Sequence, residues 1–173
     1  MNIRRSRQAD ARAMARIYVQ SWHETYMGIV PAGYLSTMTV SGFVPMFLNE
    51  IRNGRTISYI AEKPGVGAVG FISGGPERQS DCIYEGEIYS LYVLNQYQKM
   101  GLGSRLVARL AEQFDKRGLY SLLVWVLKQN PSRKFYEKIN GIYLRSDRIP
   151  LGGNLLEGVA YGWLSTALAI RPD

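Results

Sequence analysis

The apolar positions along this chain change period several times, and each change marks an element. Residues 2–7 alternate as a short first strand. Beyond Asp10, a candidate N-cap, Met14, Ile17, Tyr18 and Trp22 recur at helical spacing until Gly28 and Pro31 break the pattern. A second, less regular helix is predicted over 34–53, with Pro45 inside it and Gly54 past its end. Residues 56–62 and 68–73 read as antiparallel strands around a Pro64-Gly65 turn, followed by a polar loop over 74–80. The strongest strand signal is 85–94, rich in Tyr, Ile, Leu and Val. Leu106, Val107, Leu110 and Phe114 return to helical spacing over 103–116, and Gly118 is the stop. Residues 122–127 are almost continuously apolar, as in a strand buried on both faces. Asn130 and Pro131 read as the N-cap and first residue of a helix ending at Asn140-Gly141. Strands over 142–149 and 155–164 flank the Gly152-Gly153 turn. The predicted order is β-α-α-β-β-β-α-β-α-β-β, an α/β chain with a mixed sheet and helices packed on it.

At 173 residues the chain has the length of one domain, and no repeat, low-complexity tract or linker divides it. Its 46% apolar and 20% charged residues exclude a disordered chain. No run approaches the roughly eighteen apolar residues of a membrane span, and Met1-Asn2-Ile3-Arg4-Arg5 is not the start of a secretory signal. The expectation is a cytoplasmic protein with no membrane partner. Cys82 is the only cysteine, so neither an internal disulfide nor a multi-cysteine metal site is expected. The net charge of +7 lies almost wholly between Gln98 and Lys138, where nine basic residues face three acids. Such a stretch attracts an anion. Nucleic acid is disfavoured, because no helix-turn-helix or similar frame accompanies it; a phosphate-bearing cofactor and a merely solvated helix face both remain open, and the run needs a motif beside it.

The chemistry is concentrated in Gln98-Lys99-Met100-Gly101-Leu102-Gly103-Ser104, between the best strand and the best helix. Two glycines one residue apart let a ligand approach the backbone, and the helix start behind them offers unpaired N–H groups and a positive dipole end. A dinucleotide fingerprint would need glycine where Leu106 stands, and a P-loop would need Lys after Gly103, which Ser104 occupies. With Leu91-Tyr92-Val93 ahead of it, Gln98-x-x-Gly101-x-Gly103 resembles the acyl-CoA signature of the GNAT superfamily of N-acetyltransferases. Asn130-Pro131-Ser132-Arg133-Lys134-Phe135-Tyr136 resembles that family's second hallmark, with Ser132 where many members carry Ala.

The resemblance implies one N-acetyltransferase domain over 1–173, with a mostly antiparallel sheet of about seven strands splayed between the fourth and fifth. It implies acetyl-CoA as cofactor. The amides of Lys99, Met100, Gly101, Leu102, Gly103 and Ser104 would hold its diphosphate, with Gln98 and Ser132 among the cofactor-binding residues and Asn130 donating to a carbonyl of its pantetheine arm. Main-chain groups of Leu91, Tyr92 and Val93 would pair with its pantetheine arm. It assigns Tyr136 as general acid. Glu87, which shares a strand face with Glu85, Tyr89 and Leu91 by period-two alternation, is the candidate general base, acting directly or through a water, with Glu85 or a water chain as the alternatives. The acceptor is expected to be a small-molecule amine met by Trp22, Tyr26, Tyr34 and Glu157. A protein N-terminus or lysine acceptor, or an idle acyl-CoA-binding domain, stays open. The apolar stretch 155–164 permits a homodimer.

Overall fold

The computed structural model describes residues 1–170; positions 171–173, the end of the expected domain, lie outside the described residues. The strands are β1 (Asn2–Arg5), β2 (Ile57–Lys63), β3 (Gly67–Pro76), β4 (Gly86–Val93), β5 (Leu122–Leu127), β6 (Ile142–Leu151) and β7 (Asn154–Trp163). The helices are α1 (Ala11–Tyr26), α2 (Ala32–Thr37), α3 (Val40–Arg52), α4 (Leu102–Asp115), α5 (Arg133–Lys138) and α6 (Thr166–Ile170). The expected single helix over 34–53 is two. The chain leaves α2 in an extended conformation at Met38, and Thr39 caps α3 by accepting from the Gly42 N–H at 3.1 Å. The short α6 lies where the sequence pattern placed no element.

The seven strands form one sheet in the order β1-β2-β3-β4-β5-β7-β6. Every pairing is antiparallel except β4 with β5. α1 and α3 cover one face, where Phe47 of α3 packs edge-on against Phe71 of β3 at 5.2 Å. α4 covers the other with Leu106, Leu110 and Phe114, all buried. No helix among the described residues is long and apolar enough to cross a membrane. β7 lies between β5 and β6, with Gly158–Gly162 paired on both sides, and β6 is the outer edge of the sheet on that side.

Two glycines let α4 approach the sheet. A Cβ on Gly86 would stand 2.6 Å from the Phe114 ring, and one on Gly74 would stand 2.5 Å from the Glu87 carbonyl and 2.8 Å from Leu110. The Gly74→Ala variant is therefore expected to lose about 1–3 kcal/mol of stability to overpacking, read as a lower urea midpoint; an unchanged midpoint contradicts this packing.

Candidate functional site

β4 carries an irregularity that sets the site. Ser90 is opposite Ser73 and Ile88 opposite Gly74, so Tyr89 is an extra residue, a β-bulge. Gly86 faces α4, since its Cβ would meet Phe114. Uninterrupted alternation would turn Tyr92 the same way, yet Tyr92 packs on Tyr18 of α1 at 5.1 Å and accepts a hydrogen bond from Trp22 Nε1 at 2.8 Å. The bulge has moved the following side chains across the sheet. Glu87, Ser90 and Tyr92 share the α1 face, while Leu91 and Val93 turn toward α4. The expected common face of Glu87, Tyr89 and Leu91 is thus broken.

Three contacts hold the bulge. The Tyr89 hydroxyl donates to the Pro76 carbonyl at 2.6 Å, the Arg78 guanidinium lies 4.1 Å above the Tyr89 ring, and Arg78 grips both carboxylate oxygens of Glu87. Glu87 is 2% exposed and does not line the cleft described next. A base at Glu87 would reach an amine through a water rather than by direct contact.

Beyond Ile88 and Val124 the parallel β4–β5 ladder ends and the strands diverge. The gap is a cleft lined by both strands, the last turns of α1, and Asn130, Ser132 and Tyr136. At its mouth α4 begins. Gly101, its N-cap, is left-handed (φ 73°) and provides no side-chain cap. Helical bonding starts with the Arg105 N–H on the Gly101 carbonyl, so the amides of Leu102, Gly103 and Ser104 have no partner among the described residues. Lys99 is also left-handed (φ 58°), and Met100 is exposed. Gln98 Nε2 donates to the carbonyl of Val93 and to Asn95 Oδ1, both at 2.9 Å, which braces the loop and occupies the Val93 carbonyl. A Cβ on Gly103 would come within 3.1 Å of Phe135, so this position must be small for α5 to close the far wall. A bare helix start behind a small-residue loop fits a diphosphate.

Tyr136 is buried in an aromatic stack with Phe135, Tyr161 and Trp163, and its hydroxyl borders the cleft without taking part in a hydrogen bond among the described residues. Burial pushes its pKa up, so the hydroxyl stays protonated at neutral pH. Asn130 is not the cap of α5, which begins at Arg133 with Ser132 as N-cap. Asn130 Oδ1 accepts from the Ser132 N–H and Nδ2 donates to the Tyr26 hydroxyl, both at 2.8 Å. Tyr26 borders the cleft from α1, its pKa raised to about 12 by burial. Trp22 stacks against Tyr26 and Tyr34, and Tyr34 packs on the β6–β7 turn at Gly152. Glu157 stands apart: Lys128 Nζ holds both its oxygens at 2.9 Å, which lowers its pKa.

Sequence reasoning passed over several polar groups here. Ser21 Oγ and Trp125 Nε1 belong to residues lining the cleft and are buried without a partner among the described residues. Trp125 was hidden inside an apolar run. Glu50 of α3 likewise has one buried, unpartnered oxygen, and burial pushes its carboxyl up against the pull of Ser73 and Arg78.

The chain resembles known proteins in sequence and in fold. The FR47-like protein family model matches residues 69–149. The uncharacterized N-acetyltransferase YuaI of Bacillus subtilis (strain 168) is 31% identical over 163 residues, spanning 94% of this chain and 92% of that protein. The GCN5-related N-acetyltransferase from Rhodopseudomonas palustris superposes with a TM-score of 0.73 at 20% identity, over 93% of each chain. The yncA protein from Salmonella typhimurium, solved with its cofactor acetyl-CoA, superposes at 0.71 with 22% identity, over 94% of this chain and 92% of that one.

The raised Glu50 pKa means that folding favours the neutral carboxyl, so its contribution is present below the ordinary glutamate pKa and is lost as pH rises through the shifted value. Glu50→Gln is expected to raise the urea midpoint near pH 7 and leave it unchanged near pH 4; equal midpoints at both would show the carboxylate to be well solvated.

Proposed function

This chain belongs to the GNAT superfamily of N-acetyltransferases, and we propose that it acetylates the primary amine of a small molecule directly, in a ternary complex with acetyl-CoA. When bound, acetyl-CoA supplies an activated acetyl thioester. The observation that carries the reading is the β4–β5 gap, with free α4 amides at its mouth and the Tyr136 hydroxyl in its wall.

The free amides of Leu102, Gly103 and Ser104, with the left-handed loop at Lys99 and Gly101, would hold the diphosphate. The basic residues around them supply the field. The unpaired edge of β4 offers the main-chain groups of Leu91 to the amide-bearing arm, as in strand addition. Val93 contributes less than expected, because Gln98 already uses its carbonyl, and the Tyr92 side chain serves the α1 wall. Asn130 and Ser132 shape the far side of the gap through their turn and the bond to Tyr26. The Tyr136 hydroxyl, protonated and otherwise unbonded, is the group that would supply a proton to the thiol leaving group.

Glu87 acts through the strand. Its pair with Arg78 keeps the bulge that turns β4 main-chain N–H groups toward the gap, where they stabilise developing negative charge. The acceptor amine gives its proton to water at the mouth. Contact between Tyr34 and the β6–β7 turn narrows the acceptor side, which supports a small acceptor over a protein segment. The unbonded Tyr136 hydroxyl supports catalysis over mere acyl-CoA binding. The one cysteine, Cys82, is exposed and free, consistent with a cytoplasmic setting. Open-edged β6 is the strand through which a homodimer would pair.

Thiol release from acetyl-CoA across a panel of small primary amines tests the reading, and release with none of them overturns it. Tyr136→Phe is expected to lower kcat by about a hundredfold, within the usual span of general acid catalysis, with the KM for acetyl-CoA changed by less than about twofold. An unchanged kcat removes Tyr136 from the proton-donor role.

A further inference from the structure

Two arginines outside the lining of the cleft are held against it by ion pairs built the same way. Arg78 pairs with Glu87, and Arg145 of β6 pairs with Asp81 at 2.8 Å. In each the carboxylate is buried, with side-chain exposures of 3% and 6%, while the guanidinium faces out at 59% and 44%. Each guanidinium also lies over a ring that lines the cleft: Arg78 over Tyr89, and Arg145 over Trp125 at 5.4 Å. The register explains the second contact. Arg145, Ala160 and Trp125 stand in one row across β6, β7 and β5, and the small Ala160 lets the guanidinium reach the indole.

The two arginines differ in what they have left to offer. Arg78 spends Nε and Nη2 on Glu87. Arg145 reaches Asp81 through Nη2 on one oxygen, while the other Asp81 oxygen accepts the Ile83 and Tyr84 N–H groups. Below Arg145, Trp125 Nε1 is a buried donor with no acceptor among the described residues, a cost that a ligand oxygen would relieve. No residue lining the cleft is acidic, and Lys128 already occupies Glu157. Nothing there would receive a second ammonium.

We infer that the acceptor carries a carboxylate beside its primary amine, as an amino acid does, and that Arg145 and Trp125 read that carboxylate. The inference rests on the small-amine reading and narrows it. Arg145 orients the acceptor through its free N–H groups, and the buried Asp81 fixes the guanidinium at the rim.

The test is steady-state thiol release by the full chain with matched acceptors, such as phenylalanine and phenethylamine, that differ only in the carboxylate. The amino acid of each pair is expected to have at least about a tenfold higher kcat/KM, the scale of a hydrogen bond to a charged group. Arg145→Gln is expected to collapse that ratio by raising the KM of the amino acid, and Arg145→Lys to retain part of it. Equal or better turnover of the plain amines by the unaltered chain overturns the inference and leaves small-amine acetylation standing. Turnover of neither set overturns both.

Discussion

Two parallel strands that stop pairing after three residues are the constraint on which everything else rests. The β4–β5 ladder covers only Gly86–Ile88 against Leu122–Val124, and buried main-chain groups beyond it need partners that the sheet does not supply. A closed sheet would be the more stable arrangement, so the gap has to be held open. Side chains do this from both layers. The Tyr89 bulge, pinned by Pro76 and by the Arg78–Glu87 pair, turns β4 away from β5. Trp22, Tyr92 and Tyr26 fill the α1 side, and Asn130 ties Tyr26 to the turn before α5. The unsatisfied strand edge and the unsatisfied helix start then lie next to each other, and one extended anionic ligand can complete both.

The gap is also where the two faces of the sheet meet. The α4 and α5 side carries free amides, most of the excess positive charge and the Tyr136 hydroxyl. The α1 and α3 side carries the aromatic wall and the two outward-facing guanidiniums. Tyr26 and Asn130 join the two sides through a single hydrogen bond across 104 residues of sequence. An acetyl donor and an amine entering from opposite faces would meet at the bulge. Direct transfer needs little more than this alignment and one proton donor.

Much of this was legible in the chain. Gln98-x-x-Gly101-x-Gly103 stood out because a left-handed N-cap and a close approach to Phe135 both demand glycine, and because a strong strand and a strong helix flank it. Tyr136 followed from the resemblance of the Asn130–Tyr136 stretch to the family's second hallmark. Other features had no local signal. An alternating strand reads the same with or without one extra residue, so the bulge at Tyr89, and with it the setting of Glu87, depended on β3. Asn130 and Pro131 have the residue types of a helix start, but the chain makes a turn first, with Asn130 bonded to Tyr26 of a distant helix. Trp125 looked like core because its neighbours are core. Glu157 looked like a free acid because Lys128, 29 residues away in sequence, becomes its neighbour only when β7 folds back.

The most direct test of the central claim is an amide-resolved NMR titration of the labelled protein with coenzyme A, followed by hydrogen exchange of the saturated complex. The expected result is that the amides of Leu91, Gly101, Leu102, Gly103 and Ser104 shift together with one dissociation constant. Those of the β4 edge and the α4 start should then gain protection, because the ligand has completed their hydrogen bonding. Saturable binding that leaves these amides unshifted and unprotected would contradict the claim and place the donor site elsewhere on the molecule.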